Sequence, residues 1–185
     1  MAEDVAAIRK KVMEFIDGPE GYLKIPYDGP DPNPRHFWHK IVLQSRLRFL
    51  WQSAVIFLCT ILPSGEFKNR LLRSIGMNIG REAFIAPLVF FDVEFPRLVT
   101  IGEGAVVGTM TKILTHEVTI KSVRLGRTVI GKQALVGAAS VLRCGVTIGE
   151  GAVVAMNSFV NRDVPPFTVA GGSPLQEIKK LDRLI

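Results

Sequence analysis

Histidine is scarce in this chain of 185 residues, occurring only as His36, His39 and His116. A neutral imidazole near pH 7 can take a proton from a hydroxyl or amine as that group attacks an activated acyl carbon. His116 stands in ILTHEV, ahead of a segment carrying Lys121, Arg124 and Arg127, and its neighbour Glu117 is a candidate for orienting the ring. A lone histidine is more often a satisfied structural residue, so its weight depends on the elements that position it. His36 and His39 fall in a Pro-rich segment with no Cys or carboxylate partner at ligand spacing, which argues against a metal site. The two cysteines, Cys59 and Cys144, lie in apolar contexts and read as free buried thiols.

Those elements are written in sixes. Ile130, Val136, Leu142, Ile148, Val154 and Val160 recur at every sixth position, followed in most cases by a small residue: Gly131, Gly137, Gly149, Ala155. A period of six suits neither a helix nor a simple alternating strand. It suits a flat-sided coil in which each six is a short extended segment plus a tight corner, and stacked coils share one apolar interior. Ile101, Val107 and Ile113 hold the same spacing, and Ile79 and Ile85 begin it. The interruptions at 87–99 and 115–128 read as loops thrown out from the coil, the second with His116 at its mouth. The competing architecture is a β-sandwich, whose strands alternate at two.

Ahead of the coil, residues 2–16 space Val5, Ile8, Val12, Phe15 and Ile16 as an amphipathic helix. Residues 17–34 hold Pro19, Pro26, Pro30, Pro32 and Pro34 and read as an extended linker that Tyr22 and Tyr27 could anchor. Residues 37–62 form an apolar helix with a stripe of Leu43, Leu47, Leu50, Ala54, Phe57 and Ile61. Its apolar half falls short of the ~20 residues needed to cross a bilayer. Three roles remain for it, in this order: a cap on the open end of the coil, an oligomer contact, or a peripheral membrane contact through 37–62. The chain divides into a helical segment, 1–66, and a coil domain with its tail, 67–185. The net charge of +6 favours anionic partners, but the basic residues form no dense run with interleaved aromatics, which excludes nucleic acid. No secretory leader opens the sequence, so the expected location is the cytoplasm.

The run IGKQALVGAASVLRCGVTIGEGAVVAMNSFVNRDVPPFTVAGGSPLQEIKK resembles the hexapeptide-repeat acyltransferases, and the similarity extends over about residues 76–180. Val160, Arg162, Asp163, Pro165, Pro166, Gly172 and Pro174 match that family's closing signature, and Asn69 to Gly80 is similar to the entry of its polysaccharide-modifying, sugar O-acetyltransferase branch. The resemblance implies a mainly β fold, a left-handed parallel β-helix with N-terminal helices and a short C-terminal helix. It also implies a homotrimer with active sites between subunits, and acetyl-CoA or another acyl-CoA as donor. His116 then corresponds to the general base, and Ala138, Met156, Asn161, Arg162 and Lys179 to donor-binding positions. The basic pair Arg162 and Lys179 suits the phosphate charges of such a donor.

The expected activity is O- or N-acyl transfer to a sugar or sugar nucleotide, without a covalent enzyme intermediate. Leu135 stands where many relatives have Trp, and Met156 where they have a smaller residue, so the donor groove differs in shape. A zinc-dependent activity on the same scaffold needs three histidines from neighbouring coils, and only His116 is there. The alternative from another class is a non-catalytic trimeric platform or membrane-surface assembly protein.

Overall fold

The structure, a computed structural model, describes residues 5–26, 45–119 and 121–182. Helix α1 (Val5–Asp17) and strand β1 (Tyr22–Pro26) come first, then helices α2 (Arg46–Ile61) and α3 (Glu66–Ser74). His36, His39 and Tyr27, and the first part of the helix expected over 37–62, lie outside the described residues.

From residue 78 the chain winds as a coil of two- and three-residue strands. The first turn is β2 (Asn78–Ile79), β3 (Phe84–Ile85) and β4 (Phe90–Phe91), and the second β5 (Val99–Ile101), β6 (Val106–Val107) and β7 (Lys112–Ile113). After a hairpin of β8 (His116–Thr119) and β9 (Ser122–Gly126) the third turn follows as β10 (Thr128–Ile130), β11 (Leu135–Val136) and β12 (Val141–Leu142). The fourth is β13 (Thr147–Ile148), β14 (Val153–Val154) and β15 (Phe159–Val160), and β16 (Thr168–Gly171) and β17 (Gln176–Lys180) close the chain. Equivalent strands of successive turns pair in parallel, giving three sheets: β2-β5-β10-β13, β3-β6-β11-β14-β16 and β4-β7-β12-β15.

The sixth-residue pattern is the interior of this coil. Ile79, Ile101, Ile130 and Ile148 stack on one wall, Ile85, Val107, Val136, Val154 and Ala170 on the second, and Phe91, Ile113, Leu142 and Val160 on the third, all buried. The glycines beside them are needed for backbone approach. A Cβ on Gly131 would stand 2.7 Å from the Glu150 nitrogen of the next turn, and one on Gly102 2.5 Å from that of Lys132. The coil also runs further than its aliphatic count suggests. Phe91 takes the inward position after Ile85, so the segment expected to leave the coil at 87 leaves only after β4.

Helix α2 covers the first turn, as the leading expectation for it had it, but with a different face. Val55, Ile56 and Cys59 join the coil's apolar interior, whereas Leu47, Leu50, Phe57 and Ile61 of the expected stripe are exposed. A helix apolar on nearly every side has no dominant stripe, and the neighbouring α3 decides which face is covered. Lys68 of α3 is buried there, donating from Nζ to the carbonyls of Ala86 at 2.9 Å and Leu62 at 3.4 Å.

Two further expectations change. The stretch read as a spacer contains β1, which pairs antiparallel with β9, Tyr22 opposite Gly126 and Pro26 opposite Ser122. This three-stranded sheet packs beneath α1 through Ile8, Val12, Phe15, Ile25, Phe95, Leu98 and Leu125. The C-terminal helix is instead strand β17, antiparallel to β16 with a bulge at Val169/Ala170. The five residues of QEIKK are too short for a stable isolated helix, whereas the open edge of β16 offers backbone partners.

Candidate active site

Asp92 follows β4 and His116 follows β7, so the two leave the same corner of the coil one turn apart. His116 Nδ1 makes a short hydrogen bond to Asp92 Oδ2. The Asp92 carboxylate also accepts from the backbone N–H of Thr115 and of Glu94, each at 3.1 Å. Its side chain is buried, while that of His116 is a quarter exposed. The ring packs edge-on against Phe95, centroids 5.9 Å apart, and its Nε2 faces Glu94 Oε2 at 3.5 Å.

Burial pushes the Asp92 carboxyl up, but the His116 hydrogen bond and charge and the two backbone donors outweigh it and hold the group below the usual carboxylate range. Burial likewise pushes the His116 imidazole down; the Asp92 hydrogen bond and charge, with the charges of Glu94 and Glu117, raise it above the ordinary histidine value. The Asp92 contact assigns the proton to Nδ1 in the neutral ring and leaves Nε2 with a lone pair. Glu117, the residue expected to orient the ring, does something else. Its carboxylate is held by Arg143 in two contacts, 2.5 Å from Nε to Oε1 and 2.8 Å from Nη2 to Oε2, with Arg124 3.5 Å away. The orienting partner is Asp92, inside the stretch read as a loop. Continuing the count of six from Ile85 to Phe91 would have exposed it as a corner residue.

Two of the basic residues after His116 are also committed, Arg124 to Glu117 and Arg127 to the N-terminal helix. Arg127 Nη2 donates to the carbonyls of Phe15 and Ile16, each at 3.0 Å, and of Gly18 at 2.5 Å, closing the C-terminus of α1. Burial pushes the neighbouring Cys144 thiol up to about 12, which disfavours a thiolate nucleophile there.

Four of the five donor-binding candidates flank the third sheet. Ala138 follows β11 and Met156 follows β14, at one corner on successive turns. Asn161 and Arg162 follow β15, at the corner from which Asp92 and His116 also depart. Met156 is 72% exposed, leaving its thioether free to meet a ligand, and Asn161 is exposed. Arg162 donates from Nη2 to the Leu175 carbonyl at 2.9 Å, so it also braces the closing turn. Lys179 lies on β17 opposite Val169, exposed, and belongs to the second sheet's edge rather than to the His116 corner.

For metal binding, Asp92, Glu94 and His116 offer ligand atoms within 4.8 Å of one another. With Asp92 on Nδ1 and Glu94 facing Nε2, a cation at Nε2 would find one carboxylate beside it and the other across the ring. Of the three, His116 and Asp92 are joined by a hydrogen bond, and Glu94 Oε2 stands 3.5 Å from Nε2.

A parallel coil of six-residue segments with a carboxylate-held imidazole at its corner defines a hexapeptide-repeat protein. The family profile described as "Hexapeptide repeat of succinyl-transferase" matches residues 127–162. The chain is 32% identical to "Putative acetyltransferase YvoF" of Bacillus subtilis (strain 168) over 150 residues, 80% of this chain and 87% of that protein. Its fold is similar to a hexapeptide-repeat acetyltransferase of Vibrio cholerae solved with acetyl-CoA (TM-score 0.64, 23% identity, 76% of this chain and 92% of that one). It is also similar to a maltose O-acetyltransferase of Clostridium difficile 630 (TM-score 0.60, 18% identity, 76% and 91%). The chain belongs to the hexapeptide-repeat acetyltransferase family.

Proposed function

We propose that this protein transfers an acyl group, acetyl in the first instance, from an acyl-CoA thioester to a hydroxyl or amine of a sugar or sugar nucleotide. The observation that carries the reading is His116, with Nδ1 fixed by Asp92 and Nε2 left as the proton acceptor. The acceptor's O–H or N–H gives its proton to Nε2 as the heteroatom bonds to the acyl carbon. The C–S bond then breaks, and the proton passes from His116 to the departing thiolate, leaving an ester or amide and free CoA. Backbone N–H groups near the acyl oxygen would hold its developing charge. Glu94, beside Nε2, suits a second hydroxyl of the acceptor.

The donor is read as lying along the third sheet, with Ala138 and Met156 at one edge, Asn161 and Arg162 at the other, and Lys179 near the phosphates. The solved relative carrying acetyl-CoA supports that donor. A left-handed winding, a homotrimer that completes each site and a cytoplasmic location belong to the same reading. Among the described residues no helix is long and apolar enough to cross a membrane. The exposed Leu47, Leu50, Trp51 and Phe57 of α2 favour a second reading for that helix alone, as a contact to another surface.

The test is thiol release from acetyl-CoA against a panel of sugars, amino sugars and sugar nucleotides. His116→Ala should lower kcat by about 10²–10⁴ while the assembly stays intact. Full turnover in the variant would remove His116 from the mechanism.

A further inference from the structure

Two hollows meet along helix α2, the first of them reaching Glu94 and Phe95. One, an open groove, lies between α1, α2 and the Glu94–Arg97 segment, and the other lies between α2 and the end of α3. Arg48, Gln52 and Arg97 line both, forming the ridge between them. Glu94 and Phe95, which touch His116, form the wall of the first hollow nearest the ring.

Gln52 is the unusual member of this ridge. It is only 5% exposed, yet its amide makes no hydrogen bond to any described residue. That amide is not sealed from solvent; Gln52 lines both hollows, so its donor and acceptor are available to a ligand there. Arg48 stands one helical turn before Gln52, on the same side of α2, and its guanidinium has no ion-pair partner among the described residues. Arg97 is anchored by Asp17 at 2.7 Å and presents its remaining N–H groups from across the ridge. An amide and two guanidiniums converging from two elements offer the planar, multiple donors that suit a phosphate.

We infer that Arg48, Gln52 and Arg97 bind the phosphate of a phosphorylated sugar whose ring lies in the first hollow, toward Glu94 and His116. This deepens the acceptor side of the proposed transfer and rests on it for the identity of the sugar as acceptor. The net charge of +6 favours approach of such an anion. Trp51, more than half exposed on the wall of the second hollow, offers a stacking face for a base if the phosphate is that of a nucleotide.

The experiment is calorimetric titration of the full chain with inorganic phosphate, glucose 1-phosphate and UDP-glucose, in parallel with transfer assays on glucose and glucose 1-phosphate. Arg48→Met and Gln52→Leu are the variants, since Arg48 is exposed and leucine matches the buried volume of glutamine. Saturable binding of glucose 1-phosphate, tighter than inorganic phosphate and weakened at least tenfold by each variant, is expected. So is a kcat/KM ratio of glucose 1-phosphate over glucose that falls at least tenfold in Arg48→Met. UDP-glucose binding tighter than glucose 1-phosphate would extend the site across the second hollow. Inorganic phosphate binding as well as the sugar phosphate, or binding unchanged in both variants, would overturn the assignment. Phosphorylated-sugar binding that depends on Arg48, without transfer from acetyl-CoA to any acceptor, would overturn the transferase reading instead and leave the phosphate site standing.

Discussion

Asp92 and His116 are separated by 24 positions in the chain and by a single turn of the coil, and the coil's stacking is what joins them. Phe91 pairs with Ile113 in neighbouring strands, so the residues that follow each emerge at the same corner. The backbone then departs for the hairpin, and Thr115 N–H and His116 Nδ1 close on one carboxylate. A ring fixed this way presents Nε2 without rearrangement.

The pH profile follows from the direction of the two shifts. His116 binds its proton more tightly in the folded chain than at its ordinary value of 6.5, and only the neutral ring accepts a proton. Acyl transfer should therefore rise with pH through a midpoint above 6.5 and level off beyond it, read as kcat/KM between pH 5.5 and 9. The stabilising contribution of the charged pair runs the other way: full below 6.5, it is lost as pH rises through the folded midpoint, and the melting temperature should decline over that range. A midpoint below 6.5 would contradict the Asp92 contact.

Replacing the carboxylate without changing its shape isolates its charge. Asp92→Asn should lower kcat by about 10²-fold or more, since the amide no longer holds the ring in the Nδ1–H form. It should also move the kcat/KM midpoint downward, because only the weaker charges of Glu94 and Glu117 then oppose burial. A loss of rate with an unmoved midpoint would mean that Asp92 serves the backbone alone.

Arg127 connects the site to the N-terminal helix. It donates to the carbonyls of Phe15, Ile16 and Gly18, and from Nε to that of Glu20 at 2.9 Å, so Arg127→Ala leaves the end of α1 without its cap. A loss of about 2 kcal/mol of stability is expected, with faster amide exchange across α1 and β1 than across the coil. Uniform exchange over the whole chain would show that the helix is not a separately loosened unit.

The coil was legible because its inward positions are aliphatic and evenly spaced, and His116 because it directly follows one such count. Asp92 was hidden behind Phe91, an aromatic in an aliphatic series, which made the coil seem to end a segment too early. The strand at Tyr22–Pro26 carried its own signal, with Leu23 and Ile25 turned inward on alternate positions, but the prolines around it dominated the reading. No local pattern could have chosen the buried face of α2, since that choice depends on α3 and on the first turn of the coil. Arg48, Gln52 and Arg97 gather only through tertiary packing, because no spacing in the sequence brings residue 97 to residue 52.

Most of this molecule is assembled from near neighbours, turn upon turn, and so can form as the chain lengthens. The hairpin that begins at His116 is the exception. It is secured by β1 and by Arg127, whose bond to the Glu20 carbonyl spans 107 positions. The N-terminal strand must therefore wait, unpaired, until more than half the chain has been synthesised. The corner that carries His116 thus depends on contacts across 107 positions, whereas each coil strand pairs with the turn next to it.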